Sequence, residues 1–455
     1  MSERDRCVPC PGTVTVIGAG LAGSEAAFTA AKLGCHVDLW EMRPDVMTPA
    51  HHTGDPAELV CSNSLGNDDP QKAAGILKAE LRRVGSLLIQ AADATTVPAG
   101  QALAVDRKKF SQHVRRELDG NPLISWHKGE VTDIDAGKLT VLATGPLTSD
   151  RLAQKIRELI GDDFLYFFDA ASPIVTAESL DLEIIYAASR RMPGRDDYLN
   201  CPLGRDEYLR FREELIKAEP APVKDFERGR FYEGCLPIEE LALRGVDTMR
   251  FGPLKPVGLP DPRTGREPYA VVQLRREDRE GSLYSMVGFQ TRLKWGEQKR
   301  VFSMIPGLGG AGFVRYGVMH RNIYVNAPIC LLPTLQLKKF PNVLLAGQVT
   351  GVEGYVECIA TGWLAGLNAS LIGKGMEPLE LPPESALGAL PASITAGNPK
   401  NFQPVNINLG LLLSGLEKVK DKRRRNKEIS QRSAESLEKF IAENGRCFMQ
   451  QPSWR

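Results

Sequence analysis

VTVIGAGLAGSEAAFTAAKLGCHVDLWE, residues 14–41, decides the fold of this chain. An apolar β-branched run, 14–17, leads into Gly18, Gly20 and Gly23, which form G-x-G-x-x-G. A helix of small residues follows over 24–33, and a second apolar strand, 36–40, ends on Glu41. A bare match to this glycine pattern is weak, but strand, turn, helix, strand and terminal acid together are the context that confirms it. Each part has a physical task. Gly18 permits the tight turn, Gly20 lets backbone N–H groups come close to a pyrophosphate, and Gly23 lets helix and strand pack closely. Ala19, Leu21 and Ala22 complete the turn. Unpaired N–H groups and the dipole at the helix start favour an anion. Glu41 is placed to accept hydrogen bonds from ribose hydroxyls. The stretch predicts a doubly wound α/β domain that holds a dinucleotide.

The rest of the chain bounds the answer. It has 455 residues, 42% hydrophobic and 25% charged, with a net charge of +1. That length predicts more than one domain. The near-zero charge gives no indication of a globally basic nucleic-acid binder. No apolar run looks as long as the roughly 20 residues of a membrane span. The N-terminus lacks an apolar signal core, so the expectation is a cytosolic protein. Nine cysteines, odd in number and scattered, do not suggest a secreted disulfide framework. The Cys7/Cys10 pair reads as incidental. No His, Cys and carboxylate set has metal-ligand spacing, so no metal is expected.

The expected organisation is a tail over 1–12, a first part of the dinucleotide domain over 13–164, an inserted smaller α+β domain over 165–300, and a second part over 301–455. Residues 43–70 form a long polar loop, and long loops in compact domains are usually functional. Residues 71–90 show helical periodicity, 106–118 a further helix, and 123–135 strand pairs. Residues 138–145 read as an apolar strand ending in small residues, at the place where a cofactor lies in a doubly wound sheet. Near the other end, 342–347 is a buried strand that runs into Gly347, Gln348 and Gly351 and then a helix over 356–371. Two strand–glycine turn–helix units separated by an insertion suggest a cofactor spanning the sheet, and FAD is long enough. The run KVKDKRRRNKEISQR, 418–432, is the strongest positive stretch. Such runs are commonly solvated helix faces, with nucleic-acid contact the sharper reading.

Two cysteines stand apart. Cys61 lies in ELVCSNSL within the long loop, and Cys235 in YEGCLPI. A loop thiol beside a cofactor is open to activation as thiolate, whereas a thiol in an apolar run is inert filler. Sequence alone leaves both readings open for these two. Cys35, Cys330 and Cys358 sit in apolar segments and read as filler. His51 and His52, upstream of Cys61, suit a base, a phosphate contact or a solvent-exposed pair.

The segments GAGLAGSEAA, WEMRP, TPAHHTGDPAELVCSNSLG, FYEGCLPIEEL, RFGPLKPVGL, GFQTRLKWGEQKRVFSMIPGL, FVRYGVMHRN, LLAGQVTGVEGYVE and NPKNFQPVNIN together resemble the bacterial folate- and FAD-dependent tRNA (uracil-5-)-methyltransferases. The resemblance runs from about Thr13 to about Gly410. One departure is GGAG at 309–312, where the family is expected to be more acidic. A related family that installs carboxymethylaminomethyl groups on wobble uridine shares the glycine turns but lacks the VCSNSLG and EGCLPIE contexts. The resemblance implies a tRNA methyltransferase that forms 5-methyluridine in the T-loop. Carbon would come from 5,10-methylenetetrahydrofolate, and electrons from NADPH or NADH through FAD. It implies Cys235 as the thiolate that adds to uracil C6 and Cys61 as a second catalytic thiol. Arg250, Lys255, Arg292, Lys294 and the 418–432 run are the basic groups expected to grip tRNA. Readings from other classes are a plain FAD-dependent NAD(P)H oxidoreductase and a flavin-containing tRNA-binding factor.

Overall fold

The computed structural model describes residues 10, 12–161, 164–221, 236–413 and 421–448. Thr13–Ile17 is the centre of a five-stranded parallel sheet. His36–Glu41 and then Ile124–Lys128 lie on one side of it, Thr140–Leu142 and then Val343–Leu345 on the other. The order therefore reverses at the first strand. In open parallel sheets the crevice at such a reversal, outside the carboxyl ends of the strands, is where ligands bind.

Leu21–Lys32 follows the glycine turn as a helix whose small residues are buried. It crosses the 19-residue helix Tyr355–Gly373. The close approach depends on glycine: a Cβ on Gly362 would stand 2.3 Å from the Ala22 carbonyl oxygen, and one on Gly366 2.5 Å from that of Ala26. Tyr355–Gly373 corrects one expectation, because it is long and apolar enough to cross a membrane. Its residues from Val356 to Leu371 are nevertheless nearly all buried in this domain, as befits a core helix.

A second sheet has six antiparallel strands, in the order Tyr186–Ala187, Tyr198–Leu203, Ala270–Arg276, Leu283–Met286, Ile174–Thr176 and Phe313–Arg315. Helices Arg205–Lys217, Ile238–Arg244 and Trp295–Phe302 pack with it. It has its own apolar core, from Val175 to Ala311, while residues from Val14 to Ile160 and from Tyr324 to Leu437 share the other. Strands Leu165–Ala170 and Met319–Tyr324 pair antiparallel where the chain passes between the two.

Local expectations differ from the structure in three places. The periodicity over 71–90 resolves into two helices, Ala73–Arg83 and Leu87–Ala94, broken at Gly85 with φ +74°. Over 123–135 there is one strand, Ile124–Lys128, because its pairing partner is His36–Glu41 and no local hairpin forms. The polar loop over 43–70 contains a short strand, Ser64–Asn67, paired with Ala102–Val105.

Candidate functional site

Every strand of the parallel sheet ends at one open cleft. Its wall holds Ile17 and Gly18 from the first strand, Trp40 and Glu41 from the second, Gly129 after Ile124–Lys128, Ala143 to Gly145 after Thr140–Leu142, and Gly347 and Gln348 after Val343–Leu345. The glycines of the turn meet different surroundings. Gly18 has φ +98°, and a Cβ there would meet the Ala143 carbonyl oxygen at 2.6 Å. A Cβ on Gly23 would overlap the Gly18 carbonyl oxygen at 1.7 Å, so turn and helix lie in direct backbone contact. Gly20 is the opposite case: nothing stands within 4 Å of its missing Cβ. It is the N-cap of Leu21–Lys32, and no side chain caps that helix end. The space is left for an incoming anion, which fits the pyrophosphate of a dinucleotide.

Leu21 and Ala22 also line the cleft. Ala19 and Gly23 lie behind it, and the Ala19 N–H donates to Glu41 Oε2 at 2.9 Å. Glu41 is 7% exposed. Burial pushes its carboxyl up, but Arg43 and the Ala19 amide outweigh that and hold it below its usual value. Arg43 Nε donates to Glu41 Oε1 at 2.9 Å, and its Nη1 lies 3.3 Å from Glu58 Oε2. Glu58 in turn accepts from the His52 and Thr53 N–H groups at 2.9 and 3.0 Å. Thus the acid that ends the second strand also anchors the polar loop. Gly347 and Gln348 line the cleft, whereas Gly351 packs against Phe402.

The Cys61 loop runs along this cleft, with Glu58 and Val60 in its wall. Cys61 is half-buried. The Tyr355 hydroxyl oxygen accepts from the Cys61 N–H at 2.8 Å and the Ser62 N–H at 3.1 Å. Arg107 donates to the Leu59 and Cys61 carbonyls and is paired with the buried Glu277. Arg315 donates to the Val60 carbonyl, and Arg275 to Ser62 Oγ and Asn63 Oδ1 at 2.7 and 2.8 Å. Three guanidinium groups, of Arg107, Arg275 and Arg315, thus reach this loop, with the Glu277 carboxylate paired to Arg107. The loop is therefore held rigidly in a net positive setting. Burial pushes the Tyr355 phenol well above its usual value, so it stays protonated at neutral pH.

His51 lines the cleft and its Nδ1 lies 2.6 Å from Thr48 Oγ1. Cys235 lies outside the described residues, as do Cys7 and residues 418–420 of the basic run. Residues 421–432 enter the helix Lys422–Glu443. The basic groups of the second core are engaged locally. Arg250 lies over Tyr269 and pairs with Asp247, Arg292 pairs with Glu240, and Lys294 with Glu219. Sequence reading missed Arg43, Arg107, Arg275, Arg315 and Tyr355. Arg43 stood in WEMRP, Arg315 in FVRYGVMHRN and Tyr355 in VEGYVE, but Arg107 and Arg275 come from distant segments with no local signal.

The family described as Glucose inhibited division protein A matches residues 13–377. The chain is 57% identical over 432 residues to the methylenetetrahydrofolate–tRNA-(uracil-5-)-methyltransferase TrmFO of Heliobacterium modesticaldum, covering 95% of this chain and 98% of that relative. It is 52% identical over 427 residues to the TrmFO of Listeria innocua, covering 94% and 98%. This chain belongs to the methylenetetrahydrofolate–tRNA-(uracil-5-)-methyltransferase family. A structure of GidA from Aquifex aeolicus shares the fold of this TrmFO-family chain, with a TM-score of 0.70, 18% identity and coverage of 96% of this chain and 74% of that one. The family is a flavoprotein family, and the cleft of this TrmFO-family chain fits FAD on its own terms. Five strand ends supply a long trough, Gly20 is open at the helix start, and an acid closes the second strand.

Proposed function

We propose that this chain methylates C5 of the T-loop uridine of tRNA, with 5,10-methylenetetrahydrofolate as carbon donor and NADPH or NADH as the source of electrons through FAD. Its place of action is the cytosol. The observation that carries the reading is the Cys61 loop, fixed by Tyr355 and three arginines beside a dinucleotide cleft.

Uracil C5 is a weak nucleophile. The Cys235 thiolate adds to C6, forming a C–S bond and moving an electron pair onto C5 and the O4 carbonyl. C5 then attacks the electrophilic methylene of the folate. Cys61 takes the C5 proton while the folate C–N bond breaks, which releases tetrahydrofolate and leaves an exocyclic methylene at C5; once that carbon has gained a hydride, the C6–S bond breaks to return Cys235. Reduced FAD, when bound, supplies the hydride that turns the methylene into methyl. Arg107, Arg275 and Arg315 favour negative charge at the Cys61 loop, and Tyr355 fixes its backbone so that the thiol holds one position. The uridine must leave its stack to reach such a cleft.

Nucleoside mass spectrometry tests the reading. Unmodified tRNA is incubated with the protein, NADPH and methylenetetrahydrofolate, or with S-adenosylmethionine in place of folate. 5-Methyluridine in the folate reaction alone is the expected result. NADPH consumption in air with no 5-methyluridine would replace the reading with a plain flavin oxidoreductase. Cys235→Ala is expected to abolish methylation while FAD stays bound, and full activity in that variant would remove Cys235 from the nucleophile role.

A further inference from the structure

Three aromatic rings stand in series beside the Cys61 loop. Trp295 and Tyr316 have ring centroids 5.7 Å apart with planes 14° from parallel. Tyr316 and Phe313 are 5.5 Å apart at 13°. Phe313 and Tyr316 are half-buried, whereas Trp295, at the end of the series, is 64% exposed. A large aromatic left open at the end of a parallel stack is a ready face for one more flat ring.

The stack is built to stay in place. Trp295 is the first residue of the helix Trp295–Phe302. From the next turn, the buried Gln298 accepts from the Gly317 N–H at 2.7 Å and donates to the Gly317 carbonyl at 2.9 Å. That two-way bond locks the helix against the segment carrying Tyr316. The residue before Tyr316 is Arg315, whose guanidinium reaches the Val60 carbonyl next to Cys61. Arg315 and Tyr316 are consecutive, so the segment that carries the middle ring also reaches the thiol loop. The local charges do not explain the exposed ring as a phosphate grip, because Lys294 is paired with Glu219, and Arg300 with Glu214 and Glu297.

We propose that Trp295, backed by Tyr316 and Phe313, is a stacking platform for an unpaired base of the substrate tRNA, next to the uridine that enters the cleft. The inference rests on the tRNA-methylating reading above. Extruding one base leaves a neighbour without its stacking partner, and an aromatic face offers a replacement that suits any base.

The test is filter binding of unmodified tRNA to the FAD-loaded protein across a salt series, for wild type, Trp295→Leu and Trp295→Phe. Leucine keeps apolar bulk and removes the π-face, and phenylalanine keeps a smaller face. The expected result is a Kd raised roughly five- to a hundredfold in Trp295→Leu and largely restored in Trp295→Phe. FAD content, NADPH oxidation and the slope of log Kd against log salt should all match wild type. Equal Kd values for wild type and Trp295→Leu would overturn the platform. So would a Trp295→Leu loss accompanied by a shallower salt slope, which marks a phosphate contact instead. Wild type that binds no tRNA would overturn the tRNA reading itself, and the platform with it, which tells the two failures apart.

Discussion

Gly20 and Gly23 are three residues apart in one motif and do different work. A Cβ at Gly23 would strike the Gly18 carbonyl at 1.7 Å, whereas one at Gly20 meets nothing within 4 Å. Gly23→Ala is therefore expected to destabilise the fold by about 1–3 kcal/mol or more, as overpacking does. Gly20→Ala should cost the apoprotein less than about 1 kcal/mol, because only the cap changes, yet weaken FAD binding severalfold. Thermal melts of the two apoproteins, with flavin titrations, separate them. Equal melting temperatures for the two would show that the turn and helix are not in the contact described. Arg43 holds Glu41 at side-chain exposures of 3% and 8%. Arg43→Ala leaves that buried carboxylate without its partner, with an expected loss of roughly 3–5 kcal/mol by denaturant melts. A loss below about 1 kcal/mol would mean that water reaches Glu41.

Buried acids tie the elements of the larger core together. Glu80, on Ala73–Arg83, accepts from the Ala386 and Leu387 N–H groups at 2.9 and 2.8 Å, at the start of the helix Ala386–Ala396. Ser433, on the helix Lys422–Glu443, donates to the same carboxyl at 2.5 Å. Glu25 receives the Leu87 and Leu88 N–H groups in the same manner, at the start of Leu87–Ala94. Burial pushes Glu80 up to about 7, and it does the same to Glu25 and Glu357. Unfolded, such a group titrates near 4.5. Between those values the folded chain holds a proton that the unfolded chain has released. Stability therefore falls as pH rises from about 4.5 to about 7. Glu80→Gln keeps an acceptor for the helix start and a donor for Ser433 but cannot ionise. Its melting temperature should fall less than that of wild type between pH 5 and pH 7.5. Parallel curves would show that Glu80 is ionised throughout.

At the scale of the whole molecule, the site is where two cores meet. Asn63 donates across to the Arg276 carbonyl at 2.8 Å, and Arg275, Glu277 and Arg315 reach back to the 59–63 loop or to Arg107. Arg315→Ala is expected to leave FAD binding intact and to lower the methylation rate tenfold or more, since it frees a loop that positions a reacting thiol. Flavin content and 5-methyluridine yield measured on one preparation check this, and unchanged methylation would remove Arg315 from the positioning role. The parallel sheet was legible in the sequence because its signals are local. A β-branched run, three glycines at fixed spacing and a terminal acid are enforced by backbone sterics and helix-end electrostatics within 28 residues, 14–41. The second turn at Gly347 and the small-residue end of 138–145 were legible for the same reason. The sequence by itself determined the fold class, the dinucleotide turn and, through long idiosyncratic motifs, the family. Only the tertiary structure decided what holds Cys61. Its neighbours Arg107, Arg275, Arg315 and Tyr355 are brought together from four distant segments, and contacts of that kind leave no periodicity or spacing for a sequence reader to find. The same holds for the Trp295 ladder, whose rings lie on a helix and on the segment 313–316, joined through the side chain of one buried glutamine.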